Sequence, residues 1–112
     1  MSELESKLQS KVIRFCESLG AFVVKITLGN KTGLSDTIVC YRGRYLTIEL
    51  KAEGKKPNEL QYYKMRKVQE AGGIALWSDN LADLGTEIIK QFTAIDLEVA
   101  FLHRSGFKKE TV

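Results

Sequence analysis

Two β-prone runs, Thr37-Ile38-Val39-Cys40-Tyr41 and Arg44-Tyr45-Leu46-Thr47-Ile48-Glu49-Leu50-Lys51, are separated only by Arg42-Gly43. A two-residue loop between strands makes an antiparallel hairpin. Pairing Tyr41 with Arg44 then sets Asp36 directly across from Glu49. Residues opposed in this way share a face, with Cβ atoms about 5 Å apart. Alternation along the strand adds Lys51 to the face that carries Glu49. Two opposed carboxylates repel, so this arrangement destabilises a sheet unless something cationic compensates.

The remaining chain supplies what must cover such a sheet. Leu4, Leu8, Val12, Phe15, Cys16 and Leu19 recur at spacings of three and four, the period of one helix face. Ser2 can cap this helix, Glu3 and Glu5 suit its first turn, and Gly20 is placed to end it. A short strand is expected over residues 21–26, followed by a glycine-punctuated loop over residues 28–33. Pro57 suits the first turn of a second helix running through Gln61, Tyr63 and Val68, which Gly72-Gly73 ends. Residues 74–77 read as another strand. Asp79 or Asn80 can cap a last helix bearing Leu81, Leu84, Ile88, Ile89 and Phe92. Residues 94–102 are apolar enough to pack, and residues 104–112 form a basic end expected to fray. The order α-β-β-β-α-β-α predicts an α/β fold, a mixed sheet flanked by helices. At 112 residues one domain is expected over 1–112.

Composition narrows the chemistry. With one histidine, His103, and only Cys16 and Cys40 as thiols, a zinc site, a Ser-His-Asp triad and a disulfide framework are disfavoured. Cys16 and Cys40 read as buried small hydrophobes, and Trp77 as sheet core. No apolar run approaches the roughly 20 residues that span a bilayer, and the first residues are acidic rather than signal-like. An intracellular protein with no membrane partner is therefore expected. Lys and Arg number 17 against 14 Asp and Glu, a surplus of +3 compatible with a polyanionic partner but common in soluble domains. An enzyme of this composition must work with carboxylates and lysines.

Mg²⁺ and Mn²⁺ are hard ions that take a few carboxylate oxygens and keep waters for a substrate phosphate. Asp36 and Glu49 offer such oxygens from two rigid strands, and Lys51 could polarise a water or neutralise an attacked phosphate. The alternative is a solvated Asp-Glu-Lys ladder on the sheet surface, which contributes little. Spacing alone leaves both open.

Gly33-Leu34-Ser35-Asp36 followed after the hairpin by Glu49-Leu50-Lys51 resembles the PD-(D/E)xK nuclease signature. Glu5-Ser6-Lys7-Leu8-Gln9 at the start of the first helix, Gly20 before a strand containing Lys25, and Gln61 early in the next helix narrow the likeness. Together these resemble the virus-type replication-repair nuclease (VRR-NUC) domain in its small stand-alone phage form. Core motifs fall within residues 3–84, and residues 94–112 form a C-terminal extension. Where that family has proline before the aspartate, this chain has Ser35, which removes some stiffness from the approach to the strand.

The resemblance implies a restriction-endonuclease-like fold and a DNA endonuclease using Mg²⁺ or Mn²⁺. It implies Asp36, Glu49, the Leu50 carbonyl and Glu5 as metal ligands, Lys51 as the residue serving the attacking water, and Gln61 as orienting a site residue or the phosphate. It also implies a homodimer acting on branched DNA such as four-way (Holliday) junctions, and host cytoplasm as the location if the chain is phage-encoded. Residues 94–102 are the expected dimer surface. A two-fold dimer lets one site per subunit cut symmetry-related strands. Lys25, Lys31, Arg42, Arg44, Lys55 and Lys56 are the candidate phosphate contacts, each equally readable as solvated surface. A DNA-binding module of the same fold without catalysis, and an interaction protein with a charged sheet face, are the competing readings.

Overall fold

The computed structural model describes residues 3–26 and 37–104. The expected cap Ser2, the loop over residues 28–33 with Lys31, Ser35 and Asp36, and residues 105–112 lie outside the described residues. The elements are α1 (Glu3–Ser18), β1 (Phe22–Lys25), β2 (Thr37–Tyr41), β3 (Arg44–Leu50), α2 (Glu59–Glu70), β4 (Ile74–Ser78) and α3 (Leu81–Arg104). Their order is the α-β-β-β-α-β-α read from the sequence.

The four strands form one sheet in the order β1-β2-β3-β4. The first two pairings are antiparallel and β3 pairs with β4 in parallel. A parallel neighbour needs a crossover, and α2 supplies it. The hairpin register is the expected one, from Tyr41↔Arg44 down to Thr37↔Ile48. Its turn places Arg42 at φ 49° and Gly43 at φ 87°. Positive φ at both central residues is the type I′ geometry whose twist matches a hairpin. Arg42 tolerates it without being the Asn such turns favour.

Alternation divides the sheet into two faces. Val39, Tyr41, Leu46, Ile48 and Leu50 bury their side chains against Val12 and Cys16 of α1 and Leu84, Ile88, Phe92 and Ile95 of α3. Tyr41 stacks flat on Phe92, with ring centroids 3.9 Å apart. Among the described residues the opposite face, carrying Thr47 and Glu49, is covered by α2, which packs mainly over β4 and β3. This half-cover corrects the expectation for Cys40. It lies on the α2 side of β2, beyond the reach of α2, and is exposed, whereas Cys16 is fully buried.

Helix ends follow local chemistry. Gly20 at φ 95° closes α1, with Gly20 N–H bonded to the Glu17 carbonyl and Ala21 N–H to that of Cys16, a Schellman motif. Gly72 at φ 90° closes α2 through the equivalent pair, Gly72 to Gln69 and Gly73 to Val68. The start of α2 differs from expectation. Pro57 precedes the helix rather than opening it, because Asn58 is the N-cap. Asn80 caps α3, its side chain accepting from Asp83 N–H at 3.0 Å. Residues 94–102 are not a separate tail but the uninterrupted second half of α3. Ile89, expected on its core face, is half-exposed. Among the described residues no helix is long and apolar enough to cross a membrane.

Candidate active site

Glu49 sits one residue before the end of β3, on the α2 face, and is only 2% exposed. A buried carboxylate needs hydrogen bonds in place of lost water. Gln61 Nε2 donates one to Glu49 Oε1 at 2.6 Å. Gln61 is itself fixed by a capping box: its backbone N–H donates to Asn58 Oδ1 at 2.8 Å, and its Oε1 accepts from Asn58 N–H at 2.9 Å. With its oxygen engaged at the helix start, only the Nε2 end of the amide faces Glu49. Helix capping and carboxylate orientation are thus one hydrogen-bonded unit.

Lys51 follows two residues on. Its backbone N–H donates to the Ser78 carbonyl at 2.9 Å, which carries the β3–β4 ladder past the formal end of β3. Alternation therefore puts Lys51 on the Glu49 face at the sheet's end. The Leu50 carbonyl lies between them on the backbone, while its side chain belongs to the core on the other face. Trp77, opposite Glu49 on β4, shares its face and meets the edge of Tyr62 at 6.4 Å.

From the other face, α1 reaches the same end of the sheet. Gln9 is buried and donates from Nε2 to Thr37 Oγ1 at 2.9 Å, tying α1 to the first residue of β2. Gln9 Oε1 has no partner among the described residues. Glu5, half-buried, lies four residues earlier on α1 and so shares the Gln9 side of the helix. Gln9 and Thr37 were not singled out in the sequence as site residues. Their signals were a polar residue inside the apolar stripe of α1, and a hydroxyl adjoining Asp36. Asn58, likewise passed over, had the Asn-x-x-Gln spacing of a capping box.

The candidate phosphate contacts separate into two groups. Lys25 pairs with Thr37 in the β1–β2 ladder, at the Glu49 end of the sheet, and Lys55 and Lys56 are exposed in the connection that follows Lys51. A bond from Gly54 N–H to Asp79 Oδ2 at 3.0 Å clips that connection to the end of β4. Arg42 and Arg44 stand at the opposite end. Arg42 pairs with Asp96 at 3.1 Å and Arg44 with Glu98 at 2.7 Å, both on α3. Five residues of strand, about 17 Å, separate Arg44 from Glu49, so the two cannot serve one phosphate.

Oxygen donors without soft sulfur or imidazole are the set that suits Mg²⁺ or Mn²⁺, and Glu49 with the Leu50 carbonyl is of that kind. Among the described residues no three His, Cys, Asp or Glu side chains gather around one point. Asp36, expected opposite Glu49, is outside them.

The fold and this site define a mixed-sheet α/β architecture with a buried carboxylate at the end of its third strand. A solved VRR_NUC domain has the same fold: TM-score 0.66, 22% sequence identity, with 79% of this chain covering 96% of that one. No family model and no curated protein matches the chain.

Proposed function

We propose that the chain is a metal-dependent endodeoxyribonuclease that hydrolyses phosphodiesters in branched DNA. The observation that carries this reading is the Glu49 carboxylate, buried at the end of β3, held by Gln61 and followed two residues later by Lys51. The likeness of the fold to a VRR_NUC domain supports it. Glu49, the Leu50 carbonyl, Asp36 and Glu5 would hold Mg²⁺ or Mn²⁺. Such an ion polarises a phosphate and acidifies a water.

The side chains have distinct tasks in this reading. Gln61 holds Glu49 in one rotamer through its Nε2 donor. Lys51 presents an ammonium with three donors to the phosphate oxygens, whose charge grows as the attacking oxygen arrives. Gln9 fixes the first residue of β2 through its bond to Thr37. Lys25, Lys55 and Lys56 at this end of the sheet track neighbouring phosphates; Lys31 belongs to the same proposed set.

A homodimer is part of the proposal. Leu97 and Phe101, one helical turn apart on α3, are 68% and 69% exposed, an apolar strip that a second copy would cover.

The test is cleavage of labelled four-way junction, flap and linear duplex with Mg²⁺, Mn²⁺ or EDTA. The wild-type protein cuts the junction with metal and not with EDTA, and sediments as a dimer. Glu49→Gln and Lys51→Ala lower the rate at least a hundredfold while circular dichroism is unchanged. Wild-type cleavage by folded Lys51→Ala overturns the mechanism. DNA binding that survives EDTA, with no product in either metal, assigns the chain to a binding module without catalysis.

A further inference from the structure

Because α2 packs mainly over β4 and β3, a groove of about 510 Å³ lies between its flank and the part of the sheet that no described helix covers on this face. That size is within the roughly 300–1,000 Å³ of small-molecule pockets. Its floor is apolar, from Ile38, Tyr45, Met65 and Val68, and Lys64 and Lys67 stand on the α2 side. Tyr45 is 47% exposed, so much of its ring is available to a ligand. Lys67 spans Tyr63 and Glu70 at the surface, while Lys64 has no ion pair among the described residues. Among the described residues no acidic one lines the groove.

One polar atom is out of place in this wall. Thr47 is 5% exposed, lines the groove, and its Oγ1 has no hydrogen-bond partner among the described residues. A buried hydroxyl without a partner costs about 1–3 kcal/mol, so the fold alone gives no reason for it. A ligand with a donor or acceptor on an aromatic edge would satisfy it. Tyr45, Thr47 and Glu49 are alternate residues on one face of β3, and two residues of strand cover about 6.8 Å. The groove therefore runs along the strand face that carries Glu49 and ends at Thr47, two residues short of it.

We propose that this groove receives the unpaired base of a nucleotide flanking the scissile phosphate: the base lies against Tyr45, its edge meets Thr47 Oγ1, and Lys64 faces its phosphate. The inference rests on the nuclease reading and names its substrate class more closely. A base within an intact duplex is stacked and paired and cannot enter, whereas one at a branch or frayed end is extruded at little cost. Selectivity for branched DNA then has a physical origin in the groove.

Two labelled DNAs test it by fluorescence anisotropy in EDTA: a blunt duplex, and the same duplex carrying a three-nucleotide unpaired arm. The wild-type protein prefers the armed DNA. Tyr45→Ala and Thr47→Val each lower that preference about tenfold, as expected for loss of a stacking platform or a base contact, and leave blunt-duplex affinity unchanged. Thr47→Val removes an unsatisfied group, so its melting temperature does not fall; a merely structural threonine would behave oppositely. Equal affinity for the two DNAs, or a preference untouched by both variants, overturns the proposal even where the protein cleaves DNA. A preference lost in both variants, with no cleavage in any metal, upholds the groove and overturns the nuclease. Dimer sedimentation lost in Tyr45→Ala with DNA preference intact gives the groove to a second copy of the chain and overturns the proposal.

Discussion

At Gln61 three hydrogen bonds converge: two close the capping box with Asn58 and one holds Glu49. This convergence makes the residue separable by chemistry rather than by deletion. Gln61→Glu keeps an acceptor for the capping box, since glutamate serves at N3 as well as glutamine. It replaces the amide donor facing Glu49 with a second carboxylate. Two adjacent carboxylates cannot both ionise cheaply, so one is held protonated above its ordinary range. A carboxyl whose folded pKa is raised loses stability as pH rises through that range. We expect Gln61→Glu to be about 1–3 kcal/mol less stable than the wild type at pH 7, with the deficit shrinking toward pH 4.5. Urea midpoints at the two pH values measure this. An equal deficit at both would mean that the Gln61–Glu49 bond is not the cause.

Among the elements, the turn from α2 into β4 leaves no room for a side chain at Gly73. A Cβ on Gly73 would lie 2.8 Å from Val68 Cγ1 and 3.1 Å from the Tyr45 carbonyl oxygen. Gly72 beside it has open space but φ 90°, a conformation that costs a side chain about 1–2 kcal/mol. Both alanine variants should therefore destabilise, for different reasons. Gly73→Ala, which must displace backbone or a β-branched neighbour, costs about 1–3 kcal/mol and disturbs Tyr45. Gly72→Ala disturbs nothing nearby. Thermal melts together with Tyr45 fluorescence distinguish strain in the chain from crowding in the wall. The hairpin at the far end of β3 is held otherwise, by Tyr41 donating to Asp96 Oδ1 at 2.9 Å and by two ion pairs to α3. Those exposed pairs are worth at most about 1 kcal/mol each, so the Tyr41–Phe92 stack does more to fix the hairpin's position.

For the molecule as a whole, the α1–α3 side of the sheet is the larger store of stability, and it contains two groups that resist ionisation. Burial pushes the Cys16 thiol from 9.0 to about 11, with the neighbouring Glu17 charge adding to the effect. The hydrogen bond to Asp96, followed by burial and the Asp96 charge, raises the Tyr41 phenol above its ordinary 10, opposed by Arg42. In both the folded state binds the proton more tightly, so stability is fully present below the unfolded pKa and is lost as pH rises through the folded one. We expect global stability to fall between about pH 9 and pH 11, by up to about 3 kcal/mol from Cys16. Cys16→Ala is less stable at pH 8 because it leaves a cavity, yet loses less stability between pH 8 and pH 11. Urea unfolding across this range checks it, and an unchanged slope in the variant would exclude the thiol as the source.

The element order, the two-residue hairpin and its register, and both glycine helix stops were legible in the sequence, because each rests on local period, turn length or backbone freedom. The acid-lysine spacing of Glu49 and Lys51 and the position of Gln61 were legible for the same reason. Tertiary structure decided what period cannot encode. Which half of the sheet α2 covers left Cys40 and Tyr45 exposed and opened the groove. The run of α3 past the hairpin tip gave Arg42 and Arg44 acidic partners far from Glu49. The approach of α1 to the start of β2 buried Gln9 against Thr37. These outcomes depend on where helices settle across a sheet, and that is set by the summed packing of distant residues rather than by any local stretch of chain.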